Sequence, residues 1–295
     1  MAPSTPPDGF RCTSGYLRKN FEVQEKLGAG GFAHVYKCKN LVDDGTYALK
    51  VVPFRAESYE DTRREAIINA RLQGPHITRY YQAWIEDGAS WPGKLCWSSD
   101  SDTASDTETS TPEYIFYVLT ELCLGDLNSF LAENSLDQAE KFRIFGEIVS
   151  GVSHIHDKDI VHRDLSTQNI FFDGYRKMKI GDFGLAGVLN AEGVFETSAS
   201  LGNLIYMAPE IKKDSIALKK SNIYSLGIIC FEIFSDFESI SERYREIQNL
   251  KMNTKDATGW LKSLWSSLMS MLDENPSERP SAERILALLQ AKGDY

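Results

Sequence analysis

Apolar positions follow two rhythms along the chain. Up to Glu121 they come in short or alternating runs, at 22–27, 33–38, 46–52, 80–85 and 114–119, each bounded by turn-forming residues. Such runs predict five strands. Between the third and fourth, Ile67, Ile68 and Leu72 fall at near-helical spacing among charges, so one helix over 57–72 interrupts the sheet. Beyond Leu122 the period lengthens, and helices are predicted over 126–133, 136–157, 219–235, 239–252, 257–272 and 281–292. The expected fold is α+β and bilobal, with a small β-rich lobe over 21–122 and a larger helical lobe over 123–295. The boundary is expected around 121–125.

Two stretches lack either rhythm. Residues 1–20 are rich in Pro, Ser, Thr and Gly and read as a flexible lead-in, with order expected from Phe21. An insert over 88–113 reads as disordered: its part 98–113 holds nine Ser or Thr and five acids with no Lys or Arg. Those five acids account for half of the net charge of −10, so the rest of the chain is only mildly acidic. An acidic chain is a poor binder of duplex nucleic acid, whose affinity rests on Lys and Arg neutralising phosphates, so no direct nucleic-acid binding is expected. Five scattered cysteines, Cys12, Cys38, Cys96, Cys123 and Cys230, lack metal-ligand spacing and suit a reducing cytosol or nucleus. No run approaches the ~18 apolar residues of a membrane span, and the start has no signal-peptide pattern. A soluble, cytoplasmic protein without membrane contact is expected.

The chemistry lies in two clusters. Gly28, Gly30, Gly31 and Val35 sit between the first two strands, where a glycine-rich hairpin brings backbone N–H groups close to phosphate oxygens. Alone, such a run is more often an ordinary turn, and Ala33 stands where a third glycine would complete GxGxxG. Lys50 follows on the third strand, where alternation can aim it inward, and Glu65 on the intervening helix can pair with it. Taken singly, each of these charges reads as a solvated surface group. The second cluster is more specific: Val161-His162-Arg163-Asp164-Leu165-Ser166-Thr167-Gln168-Asn169, then Lys179-Ile180-Gly181-Asp182-Phe183-Gly184, then Ala208-Pro209-Glu210.

Together these motifs resemble the eukaryotic Ser/Thr protein kinases from near residue 21 to near residue 292. The resemblance implies the bilobal protein-kinase fold, ATP and Mg2+ as cofactors, and a protein substrate. It implies that Asp164 accepts the substrate hydroxyl proton, that Lys50 held by Glu65 pairs with phosphates, and that Asn169 and Asp182 hold the metal. The ATP-binding set it implies is Leu27, Gly28, Gly30, Gly31, Val35, Ala48, Lys50, Thr120, Glu121 and Cys123. It also implies that Glu210 pairs with Arg279, and that Arg163 meets a phosphate in the activation segment. Thr197, Ser198 and Ser200 are the phosphosite candidates, Ser198 at the favoured position.

The run Arg79-Tyr80-Tyr81-Gln82-Ala83-Trp84-Ile85-Glu86, followed by the acidic insert, is similar to the kinases of the initiation factor 2 alpha subunit. By that resemblance the substrate is a serine of this factor, docked near residues 242–250, and its phosphorylation restrains translation under stress; a homodimer is a further implication. The mitotic-inhibitory kinases typified by Wee share the Ala-Trp pair, but the intact Asp-Phe-Gly and His-Arg-Asp triplets favour the first group. Three departures converge on Asp164. Ser166 stands where a Lys is usual, Asn203 where a Thr is usual and Asn222 where an acid is usual, so an ATP-binding pseudokinase or weak kinase acting as an allosteric scaffold is the alternative.

Overall fold

The computed structural model describes residues 12–30, 33–90, 112–197, 202–237, 239–251 and 261–291. They form two compact units, one within Met1–Ala70 and Arg79–Leu122, the other within Arg71–Thr78 and Cys123–Tyr295.

The first unit is built on a five-stranded antiparallel sheet. In chain order it contains helix α1 (Tyr16–Asn20), strands β1 (Phe21–Ala29), β2 (His34–Asn40) and β3 (Thr46–Phe54), helix α2 (Tyr59–Arg71), and strands β4 (Tyr80–Asp87) and β5 (Tyr114–Glu121). The strand order is β1-β2-β3-β5-β4. All five strands and the intervening helix agree with the apolar rhythm of the sequence, each strand ending two residues past the run that predicts it. Period-two alternation divides the side chains between two faces. On one face Tyr36, Cys38, Leu49, Val51, Ile115, Tyr117 and Leu119 form a buried cluster, and on the other Phe54, Phe116 and Val118 gather Tyr59 and Ala66 of α2.

Residues 12–20 are not a loose lead-in. Leu17 of α1 is 2% exposed within the first cluster. Its N–H donates to Glu86 Oε1 at 2.7 Å, the same oxygen that accepts Trp84 Nε1–H at 3.2 Å. Thr13 donates its N–H to Ile85 O at 2.8 Å, so the segment covers part of edge strand β4. Trp84 stacks on Phe21 and Tyr117 and meets Tyr16 edge-on. Five residues are too few to display a helical period, which is why the sequence pattern conceals α1. The insert region is also ordered at its ends: Gly88–Ser90 form a 3-10 turn and Gly88 N–H donates to Glu113 O at 3.0 Å. Residues 91–111 lie outside the described set.

The second unit is helical. It holds β6 (Gly125–Asp126), α3 (Leu127–Glu133), α4 (Gln138–His156), β7 (Ile160–Val161), β8 (Ile170–Phe172), β9 (Met178–Ile180), β10 (Gly187–Val188), β11 (Phe195–Glu196), α5 (Pro209–Asp214), β12 (Ile216–Ala217), α6 (Lys219–Phe234), α7 (Ile240–Lys251), α8 (Leu261–Met271) and α9 (Ala282–Ala291). Asp126 caps α3 by accepting Ser129 N–H at 2.9 Å, and Asp137 caps α4 by accepting Glu140 N–H at 2.8 Å. Nearly every residue of α6 from Ser221 to Phe234 is buried, as expected of the central helix of a core. The short strands pair as β6-β8-β9, β7-β10 and β11-β12, and they were not legible because two or three residues show no alternation. Arg71, the last residue of α2, and the segment after it to Thr78 belong with this unit: Thr78 N–H donates to Ile180 O, and Ile180 N–H donates to His76 O, both at 2.9 Å. No helix among the described residues is long and apolar enough to cross a membrane.

If α1 is part of the first core, Leu17→Ala will cost about 2–4 kcal/mol, the usual range for emptying a buried leucine site. Urea denaturation of the variant beside the parent measures this. A loss within about 0.5 kcal/mol, typical of surface positions, would return residues 12–20 to the status of a tail.

Candidate active site

In the first unit, β3 sends Leu49 and Val51 into the cluster closed by Leu17, so Ala48 and Lys50 emerge on the opposite face. Strand register extends this face sideways: Val35, Lys50 and Val118 lie abreast, and Ala48 lies abreast of Thr120. Lys50 Nζ donates to Glu65 Oε1 at 2.7 Å, with the two side chains 17% and 9% exposed. Glu65 is delivered by the buried stripe of α2, where Thr62, Glu65, Ile68 and Asn69 recur at three- and four-residue spacing. The pair therefore fixes a cation on the face that Val35, Ala48 and Thr120 share. At the hairpin, Gly28 pairs with Val35 and Gly30 N–H donates to Ala33 O at 2.8 Å. Leu27 is half-exposed, and Gly31 lies outside the described residues. Glu121 ties strand ends together, its N–H donating to Arg79 O at 2.9 Å and its carboxylate accepting Arg79 N–H at 2.6 Å.

The second unit gathers Asp164, Asn169 and Asp182. Asn169 Nδ2 donates to both the backbone O and Oδ2 of Asp164, at 2.7 and 2.9 Å. Asp164 Oδ1 accepts Asn203 N–H at 2.8 Å. Both carboxylate oxygens are thus held by donors, and Asn169, its amide nitrogen committed, has its carbonyl oxygen to offer to a cation. Asn169 O accepts Gly181 N–H at 3.0 Å, which sets the loop of Asp164 beside that of Asp182. Arg163 and Asp182 hold left-handed φ of 69° and 57°, conformations that cost non-glycine residues energy and persist only when surroundings impose them. Gly202 is needed for the same geometry. Its φ is +114°, and a Cβ there would meet Asp164 Oδ1 at 3.1 Å.

Buried neutral groups anchor this loop. His162 Nε2–H donates to Gly181 O at 2.9 Å while its Nδ1 accepts Asp164 N–H at 3.3 Å, a pairing that requires the neutral tautomer. Burial also pushes the His162 pKa down. Asn222 Oδ1 accepts His162 N–H at 3.1 Å and lies 3.2 Å from His156 Nε2, whose pKa burial pushes down to about 4. Ser166, by contrast, is buried and carries no charge.

Two ion contacts frame the activation segment. Arg279, fully buried, donates to both oxygens of Glu210 at 2.8 Å, and Ser221 Oγ adds a third bond at 2.6 Å. Burial alone would push the Glu210 carboxyl up, but these hydrogen bonds outweigh it and hold it below its ordinary range. The Arg163 guanidinium donates to Leu185 O at 2.9 Å and to Thr197 Oγ1, and lies over the Phe195 ring. Ser198 and Ser200 lie outside the described residues.

One further group of residues escaped sequence reasoning: Thr167, Tyr206, Glu232 and Arg243 share hydrogen bonds across separations of up to 76 positions. The only sequence signal was an acid, Glu232, within the otherwise apolar second half of α6.

The family model described as protein kinase domain matches residues 21–288. Among curated proteins, eIF-2-alpha kinase GCN2 of Arabidopsis thaliana is 34% identical over 96% of this chain and 26% of its own length. The interferon-induced, double-stranded RNA-activated protein kinase of Rattus norvegicus is 31% identical over 92% of the chain and 52% of its own length. The membrane-associated tyrosine- and threonine-specific cdc2-inhibitory kinase wee-1.3 of Caenorhabditis elegans is 28% identical over 92% and 37%. The chain therefore spans only about a quarter to a half of the length of these relatives.

Removing Arg279 leaves a buried carboxylate without its counter-ion, so Arg279→Leu is expected to cost about 3–5 kcal/mol. The Arg279→Leu/Glu210→Gln double variant should regain part of that loss. Because Glu210 is held below its ordinary pKa, its contribution is present above the ordinary carboxylate range and fades as pH falls through the folded-state value. Denaturation series from pH 7 to about 3 should therefore run flatter for Glu210→Gln than for the parent; parallel curves would contradict the pairing.

Proposed function

The chain belongs to the protein kinase family, and from that premise we propose that it transfers the γ-phosphoryl group of ATP to a serine or threonine of a protein, foremost the initiation factor 2 alpha subunit. The observation that carries the reading is the two-sided hold on Asp164, by Asn203 N–H and Asn169 Nδ2, which aims the carboxylate as a proton acceptor. The substrate hydroxyl oxygen forms its bond to the γ-phosphorus as the bond from phosphorus to the bridging oxygen of ADP breaks, and the hydroxyl proton passes to Asp164. Lys50, fixed by Glu65, is the phosphate-binding cation, and Val35, Ala48 and Thr120 offer the surface beside it. Magnesium, when bound, neutralises charge on the phosphate oxygens; Asn169 Oδ1 and the Asp182 carboxylate, both hard oxygen donors, are the groups suited to hold it.

Two of the three departures are offset locally. Asn222 supplies by its amide oxygen the acceptor that an acid would give the His162 N–H, and Asn203 reaches Asp164 through its backbone rather than a hydroxyl. Ser166 has no such offset on its own side chain, so transfer is expected to be slow: single electrostatic donors at a developing charge are worth about 3 to 4 kcal/mol. This is the one observation that favours the scaffold reading.

The substrate rests on the relatives named as eIF-2-alpha kinases and on α7, whose Ile240 and Tyr244 are 71% and 49% exposed one turn apart and offer an apolar contact for a protein substrate. Under this reading the chain restrains translation under stress. Thr197, beside the Arg163 guanidinium, remains a candidate modification site with Ser198 and Ser200: a phosphate on Thr197 would gain charge-assisted hydrogen bonds.

Transfer of labelled phosphate from Mg–ATP to purified initiation factor 2 alpha subunit tests the proposal. Transfer is expected in the parent, lost in Asp182→Asn, raised up to about a hundredfold by Ser166→Lys and reduced in Thr197→Ala. Mg–ATP binding without transfer to any protein would instead establish the scaffold.

A further inference from the structure

Helix α7 drives two cations into the segment that holds Asp164. Arg243 and Lys251 stand two turns apart on the side of the helix that also buries Ile247 and Leu250. The Arg243 guanidinium uses all three of its nitrogens. Nη2 donates to Tyr206 OH at 2.7 Å and to Thr167 Oγ1 at 3.2 Å, Nε donates to the buried carboxylate of Glu232, and Nη1 donates to Asn128 Oδ1. Tyr206 OH in turn donates to Glu232 at 2.9 Å. Lys251 Nζ donates to the backbone oxygen of Ile205.

These partners are not scattered. Thr167 lies in the Asp164–Asn169 loop, and its O accepts Asn128 N–H at 3.1 Å. Ile205 and Tyr206 follow Asn203, whose N–H holds Asp164 Oδ1; Asn203 Oδ1 accepts Ile205 N–H at 3.1 Å and Asn203 O accepts Tyr206 N–H at 3.1 Å. A displacement of 205–206 would therefore travel through one tight turn to the amide that orients the carboxylate. The network is also electrically closed, one buried acid matched by one guanidinium, so truncating Arg243 leaves Glu232 as an unmatched charge that must draw in water or protonate.

We propose that Arg243, assisted by Lys251, is a positioning residue: it buttresses the Asp164 loop and the 203–206 turn from α7, and so sets the angle of the catalytic carboxylate. The catalytic part of this inference rests on the reading of Asp164 as proton acceptor. It makes α7 an input to the chemical step as well as a place for a substrate to touch, and it assigns the residue a role in turnover rather than in nucleotide binding.

The test uses the full chain with Arg243→Ala, Arg243→Lys and, as a control for general loss of stability, Leu289→Ala, a buried residue of α9 outside the network. Steady-state kinetics with a short Ser/Thr peptide are paired with hydrogen exchange of peptides covering 162–169 and 203–206. Arg243→Ala should lower kcat about ten- to a hundredfold, as misplacement of a reacting group does, with KM for ATP within about twofold. Exchange should quicken in those two segments and stay unchanged around Lys50 and Glu65. Arg243→Lys, or methylguanidinium added to Arg243→Ala, should restore part of kcat, while Leu289→Ala lowers the melting temperature without the kcat loss. Unchanged kcat and exchange in Arg243→Ala, or the same losses in Leu289→Ala, would overturn the proposal. If the parent transfers no phosphate, the kinase reading fails separately and exchange decides: quickening confined to the two segments upholds the buttress, and its absence removes it.

Discussion

The second unit is organised around one interaction, the hydrogen-bonded hold on both oxygens of the Asp164 carboxylate. One oxygen takes the Asn203 N–H, the other takes the Asn169 amide. Each donor is itself held, Asn169 by the bond that Gly181 N–H donates to its backbone O and Asn203 by the turn that ends at Tyr206. The left-handed backbone at Arg163 and Asp182 and the glycine at position 202 follow from packing these loops so closely. Beneath the loop, buried His162 and Asn222 supply neutral hydrogen bonds.

The loop of Asp164 is anchored by neutral side chains rather than by charges. An asparagine at 222 anchors the loop without asking a buried carboxylate to remain ionised next to a histidine whose pKa burial has already lowered to about 4. Three buried charges come in matched pairs, Lys50 with Glu65, Arg279 with Glu210 and Arg243 with Glu232. Each pair ties two elements together, respectively α2 to β3, the loop before α9 to α5, and α7 to α6. Ser166, buried and uncharged, stands outside this scheme.

The larger elements were readable because periodicity is a local property. Strands β1 to β5 and the long helices α4 and α6 each present enough residues to reveal a period of two or of 3.6. The pairing of Lys50 with Glu65 was readable because the spacing of these residues along the chain resembles that of a known family. What escaped was short or distant. Helix α1 has five residues and a single buried leucine, and β6, β7 and β10 to β12 have two residues apiece. The partners of Arg243 lie 11 to 115 positions away, with nothing in the local pattern of α7 to distinguish that arginine from Arg245, which stays at the surface. Glu232 was the better clue, since an acid amid the apolar residues of a buried helix requires a partner.

The most direct measurement is single-turnover phosphoryl transfer by Asp164→Asn beside the parent, with Mg–ATP affinity measured on the same samples. Asparagine keeps the shape of the carboxylate and removes its basicity. The account predicts a rate lower by about a hundredfold or more with nucleotide affinity retained. A variant that transfers phosphate as fast as the parent would contradict it, because the carboxylate on which the second unit converges would then have no part in the reaction.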